Sequence, residues 1–143
     1  MILVDTNLLL YATVDDLAEH SRARQWLREQ LSNGSRIGLP WTSLLGFVRL
    51  ASNRNAFVHG LSVDDAWSVA RQWLSADNVW IPQPTERHAE VLERIFTSVR
   101  LKSSAVTDTH LAALAIEHGL VLCSADAGFA RFHELRWFNP LAT

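Results

Sequence analysis

Four short apolar runs set the terms for this chain: Ile2–Val4, Ile37–Leu39, Val79–Ile81 and Leu120–Cys123. Each is too short for a helix, and each is separated from the next by segments of helical length and period. Continuous apolar runs of this kind mark strands buried on both faces, the habit of parallel sheets whose crossovers are helices. Strands alternating with helices predict a three-layer α/β/α fold with a mostly parallel central sheet of about five strands. A short fifth strand is expected over Leu135–Phe138.

The helices between them are predicted from stripes and stop signals. Asp15–Asp16 precede a helix to about Leu31, with Ala23, Trp26, Leu27 and Leu31 on one stripe, and Asn33–Gly34–Ser35 ends it. Trp41–Ala51 is a second helix, with Leu44, Phe47, Val48 and Ala51 at helical spacing. Ser62 caps a third through Leu74, its first turn carrying Asp64–Asp65 where the macrodipole favours them. A fourth is expected from Thr85 to about Val99, with Ala89, Leu92, Ile95 and Phe96 inward. The last long helix begins at Ala105 or Thr107 and stops at His118, before Gly119. Ala127–Phe132 reads as a helical turn.

The length of 143 residues suits one domain, expected to span 1–143. No apolar run reaches the roughly 20 residues needed to cross a bilayer, and the start carries no signal-peptide pattern. A single cysteine, Cys123, cannot form an internal disulfide and lies in an apolar run. A packed thiol in a reducing cytoplasm is the expectation. With a net charge of -2 no global basic field points to nucleic acid. One of the 13 basic residues, Lys102, is lysine; the arginine bias permits phosphate contact or ion pairing.

Sites in open α/β sheets form beyond the carboxyl ends of the strands. Asp5 ends the first apolar run, and Asp126 follows the fourth in Leu122–Cys123–Ser124–Ala125–Asp126. A third carboxylate, Asp108, opens the helix leading into that strand and shares a face with Leu111, Ala112 and Ala115. That face packs, so Asp108 is expected to point inward at its edge. For each acid a local role also stands: a helix cap for Asp5, a first-turn residue for Asp108, a turn for Asp126. Their joint placement favours a site. Three like charges brought together need a hard cation or raised pKa values, and carboxylate oxygens suit Mg²⁺ or Mn²⁺. A cation there can activate water and stabilise charge developing in a phosphodiester displacement.

An ordered set of motifs adds to this. Val4–Asp5–Thr6–Asn7, Phe47–Val48–Arg49, Val106–Thr107–Asp108–Thr109–His110–Leu111–Ala112, His118–Gly119, Ser124–Ala125–Asp126 and Phe129–Ala130–Arg131–Phe132 span nearly the whole chain. In this the chain resembles the PIN-domain ribonucleases, most closely the VapC toxins of bacterial toxin–antitoxin pairs. The resemblance implies Mg²⁺-dependent cleavage of structured RNA, transfer or ribosomal, with Asp5, Asp108 and Asp126 as metal-binding acids. It implies supporting roles for Asn7 and Ser124, a homodimer, and a cognate VapB-type antitoxin. Two departures stand out: the family usually has glutamate where this chain has Gly46, and often a second aspartate where it has Gly128. These favour an alternative, a PIN-like module that binds its partner without turnover. An aspartyl-phosphate hydrolase would want a second aspartate where Asn7 stands.

Other residues rank lower. The six histidines show no zinc-ligand spacing, and His110 is expected to pack or face solvent. Arg49, Arg54, Arg131 and Arg136 are candidates for RNA phosphate, with surface exposure or ion pairing as the plainer role. Trp67 and Trp73, six apart, cannot share one narrow stripe, so one of them faces a partner or a groove.

Overall fold

A computed structural model describes residues 1–142. Strand β1 (Ile2–Val4) runs directly into helix α1 (Thr6–Thr13), and α2 (His20–Ser32) follows after a turn. Then come β2 (Ile37–Gly38), α3 (Trp41–Ala51), α4 (Val63–Leu74), β3 (Val79–Trp80) and α5 (His88–Ser98). A 3₁₀ turn at Ser103–Ala105 leads into α6 (Val106–His118), β4 (Val121–Cys123), a second 3₁₀ turn (Ala127–Arg131) and β5 (Trp137–Phe138). The five strands form one sheet in the order β3-β2-β1-β4-β5, with every neighbouring pair parallel. The expected architecture is the observed one.

Alternation within the strands divides the core. Val4 and Cys123 face one layer, where Leu8, Leu9, Leu27, Leu44, Phe47 and Ala70 from α1 to α4 are buried. Leu3 and Leu122, one residue earlier in each strand, face the other, with Val91, Ile95, Leu111, Leu114 and Phe129. A shift of one residue exchanges the faces, so the β1–β4 register Leu3↔Leu122 and Val4↔Cys123 is set by both layers at once. Burial pushes the Cys123 thiol up to about 12, in keeping with packing rather than reactivity. Among the described residues no helix is long and apolar enough to cross a membrane.

Several boundaries differ from expectation for identifiable reasons. Asp15 and Asp16 do not open a helix; α2 starts at His20, because Asp16 instead accepts the N–H groups of Val58 (2.7 Å) and His59. The expected helix from Thr85 begins at His88, since the Thr85 N–H and hydroxyl are both spent on Glu117. Its buried stripe is Val91 and Ile95, not Ala89 and Phe96; Phe96 is 47% exposed. Of the two tryptophans, Trp73 is buried against Phe47, while Trp67 is exposed and stacked on Trp41.

Candidate active site

Strand order reverses beside β1, and the carboxyl ends of β1 and β4 lie next to each other. Asp5 and Asp126 stand just beyond those two ends. Asp5 takes the cap role that the sequence allowed. It caps α1 from extended backbone, with Oδ1 accepting the Thr6 N–H at 2.7 Å, and its Oδ2 accepts the Ser124 hydroxyl at 2.7 Å.

Ser124 joins the two strand ends. It is wholly buried, and besides donating to Asp5 its oxygen accepts the Asn7 side-chain N–H (3.1 Å) and the Asp126 backbone N–H (3.0 Å). The Asn7 carbonyl in turn accepts the Ala125 N–H at 3.3 Å. The two expected supporting residues therefore tie Asp5 to the loop that carries Asp126. Asp126 is exposed and turns its Oδ1 onto the Gly128 N–H at 2.8 Å.

Asp108 is half-buried in the first turn of α6 and pairs with Arg131, Nη2 to Oδ2 at 3.2 Å. The Arg131 guanidinium also lies 5.1 Å from the centroid of the Phe132 ring. The carboxyls of Asp5 and Asp108 are both pushed above their ordinary value. Burial is the main cause for each. The charge of Asp126 adds to both, that of Asp5 adds to Asp108, and Arg131 partly offsets the last. The three acids thus act within one field. They are not drawn into a tight triad: among the described residues the group whose ligand atoms all lie within 4.8 Å is Asp15, Asp16 and His59, at the exposed surface.

Asp5 and Asp108 line an open cleft of about 510 Å³, together with Thr6, Thr42, Ser43, Gly46, Arg49, Thr107 and His110. Arg49, exposed on α3, is well placed at this cleft. Arg54 is exposed in the loop after α3 and does not line it. Arg136 is engaged elsewhere, donating to the Gly119 carbonyl at 2.6 Å. Arg131, a candidate for phosphate, is taken up by Asp108, the plainer of its two roles.

The two departures have steric explanations. A Cβ at position 46 would lie 2.7 Å from Thr6 Oγ1, whose hydroxyl donates to the Ser43 carbonyl at 3.0 Å. A Cβ at position 128 would meet Asp126 Oδ1 at 3.0 Å and Arg131 Nη1 at 3.2 Å. Thr6 and Arg131 fill the space where further carboxylates would begin.

His110, expected to pack or face solvent, packs edge-on against His88 and also lines the cleft. Its Nδ1 lies 3.1 Å from His88 Nε2, and His88 Nδ1 is hydrogen-bonded to the buried carboxylate of Glu117. The one local signal was the seven-residue spacing of His110 and Glu117, which puts both on one face of α6. His88 lies on another helix and carried none.

The sequence model of the PIN domain matches residues 2–135. The chain belongs to the PIN-domain family. Ribonuclease VapC37 of Mycobacterium tuberculosis is 40% identical to it over 142 residues, covering 99% of each sequence. Ribonuclease VapC43 of the same organism is 38% identical over 141 residues, 99% of this chain and 96% of its own. Among solved structures, VapBC2 from Rickettsia felis, bound to a DNA fragment from its promoter, superposes with a TM-score of 0.71 at 17% identity. That match covers 97% of this chain and 98% of the other. VapBC-1 from nontypeable Haemophilus influenzae gives 0.69 at 15% identity over 99% of this chain and 100% of the other. The PIN fold and the VapC kinship inferred from the motifs are thereby established.

Proposed function

We propose that this PIN domain is a metal-dependent endoribonuclease and the toxin of a toxin–antitoxin pair, cutting structured RNA such as transfer or ribosomal RNA in the cytoplasm. The observation that carries the reading is the shared field of Asp5, Asp108 and Asp126 at the adjoining ends of β1 and β4, with Asp5 and Asp108 in an open cleft. The donor set fits a hard divalent cation. All three groups offer carboxylate oxygens, and the two that burial raises gain most from a nearby positive charge. Asp5, Asp108 and Asp126 would hold Mg²⁺ or Mn²⁺, which supplies Lewis-acid stabilisation and activation of water for in-line phosphodiester hydrolysis.

The protein's own groups do the positioning. Ser124 fixes the Asp5 carboxylate in orientation through its hydroxyl, and Asn7 fixes Ser124. Arg131 holds Asp108 against the repulsion of its neighbours. Arg49 offers the cleft a planar cation suited to RNA phosphate. A VapB-type antitoxin, by analogy with the VapBC complexes, would bind the toxin, and the toxin is expected to pair as a homodimer.

A second reading, a partner-binding module without turnover, draws on the Arg131–Asp108 pair and on the crowding at Gly46. One experiment separates the two. Purified protein free of antitoxin is incubated with total RNA in Mg²⁺, Mn²⁺ or EDTA, beside the Asp5→Asn variant. Metal-dependent cuts absent from the variant support the nuclease; a folded wild type that cuts nothing in either metal supports the binding module.

A further inference from the structure

Glu117 is the most costly side chain in this fold to explain by packing. Its carboxylate has no solvent exposure, yet it is held below the usual glutamate range by its hydrogen bonds, so it is buried as an anion. Its Oε1 accepts both the N–H (2.9 Å) and the hydroxyl (2.7 Å) of Thr85, and its Oε2 faces His88 Nδ1. An ionised carboxylate only accepts, so His88 Nδ1 bears a proton. His88 Nε2 lies 3.1 Å from His110 Nδ1, the two rings meeting edge to face at 76°. His110 is thereby held through Nδ1, with Nε2 left for other partners.

Among the described residues that Nε2 makes no hydrogen bond, and the His110 ring lines the cleft beside Asp108 and Thr107. Ser43, only 1% exposed, lines the same cleft with a buried hydroxyl that has no partner. Unsatisfied buried polar atoms are uncommon and call for a ligand or water. The choice of imidazole has a reason too. A guanidinium close to these acids is captured, as Arg131 is by Asp108. An imidazole already bonded through one nitrogen keeps the other free.

We infer that His110 is a substrate-contacting residue, hydrogen-bonding through Nε2 to the RNA sugar–phosphate backbone, and that Glu117 and His88 are positioning residues that fix its ring. The inference rests on the ribonuclease reading above. It is tested on the full chain in two ways. Long-range ¹H–¹⁵N spectra of the histidine rings report the tautomer without any activity: His110 is expected to show a single tautomer fixed by His88, and Glu117→Gln is expected to disturb that signature. A His110 signature that Glu117→Gln leaves unchanged overturns the positioning roles.

The second readout is steady-state cleavage of an RNA that the wild type cuts in Mg²⁺. His110→Ala is expected to raise KM about tenfold with kcat changed far less. His110→Gln, whose amide N–H approaches the position of the imidazole Nε2, is expected to recover most of that loss. An unchanged KM in folded His110→Ala, while the wild type cuts, overturns the contact alone. A wild type that cuts no RNA overturns the ribonuclease reading and the contact with it, so the wild-type reaction tells the two failures apart.

Discussion

Asp15, Asp16 and His59 bring their ligand atoms within 4.8 Å of one another, whereas Asp5, Asp108 and Asp126 do not close to that distance. By proximity alone the first group would be the better metal site. Its charges, however, are already used. Asp16 accepts the N–H groups of Val58 and His59, and His59 Nδ1 lies 2.8 Å from Asp15 and 2.9 Å from Asp16. The group ties the turn before α2 to the loop after α3, and water screens what is left. The cleft acids are arranged the opposite way. Burial and mutual repulsion raise Asp5 and Asp108; the hydrogen bonds from Ser124 and Thr6 offset only part of this at Asp5, and Arg131 only part of it at Asp108. A cation gains most where charge is desolvated and uncompensated, so the looser group is the stronger candidate.

The largest expected effect comes from removing carboxylate charge from each group in turn. Asp5→Asn should lower the rate of metal-dependent RNA cleavage by roughly a thousandfold, the equivalent of several kcal/mol of lost transition-state stabilisation. The double variant Asp15→Asn, Asp16→Asn should cut the same RNA at the wild-type rate. Equal losses in both would erase the contrast drawn above. Next in size is the support around Asp5. Ser124→Ala should weaken Mg²⁺ or Mn²⁺ binding by about 10- to 100-fold, as loss of outer-shell partners commonly does, measured by titration calorimetry.

Gly46→Glu would supply the carboxylate that the family resemblance implies for this position. Because its Cβ would meet Thr6 Oγ1 at 2.7 Å, it should destabilise by about 1–3 kcal/mol, read as a lower melting temperature, without tightening metal binding. Tighter binding at undiminished stability would show that Thr6 yields easily and that the fourth acid was simply missing.

The smallest effects are in pH dependence, and the two groups differ in their windows. The raised carboxyls of Asp5 and Asp108 bind protons more tightly folded than unfolded. The metal-free protein should therefore lose stability as pH rises from the ordinary aspartate value of 3.8 through their raised folded values, and added Mg²⁺ should flatten that slope. His59 is raised by its hydrogen bond to Asp15 and by the charges of Asp15 and Asp16. Its contribution is fully present below the ordinary value of 6.5 and is lost as pH rises through its folded value, so His59→Asn should remove only this upper step. Thermal melts across pH, with and without Mg²⁺, read both.

What was legible in the sequence was local. Helix α3 spans Trp41–Ala51 and α4 runs from the Ser62 cap to Leu74, as their stripes and cap predict. Gly119 ends α6 with φ of +66°, a conformation that favours glycine. The positions of Asp5 after β1 and Asp126 after β4 were also readable, since each depends only on where a strand ends. Helix α1 was harder to see: Leu8, Leu9 and Leu10 are all buried, so its run shows no stripe to tell helix from strand.

The alternation of short apolar strands with helices determined the parallel α/β/α fold, because burial of both sheet faces demands that pattern. It also determined which acids reach the end of the sheet. Only the tertiary structure decided what meets them there. Arg131 is 23 residues from Asp108, Ser124 is 119 from Asp5, His88 is 29 from Glu117, and Thr6 fills the place beside Gly46 from another helix. Such contacts depend on how layers pack in three dimensions, and no local period of a chain records which side chain arrives from across the sheet.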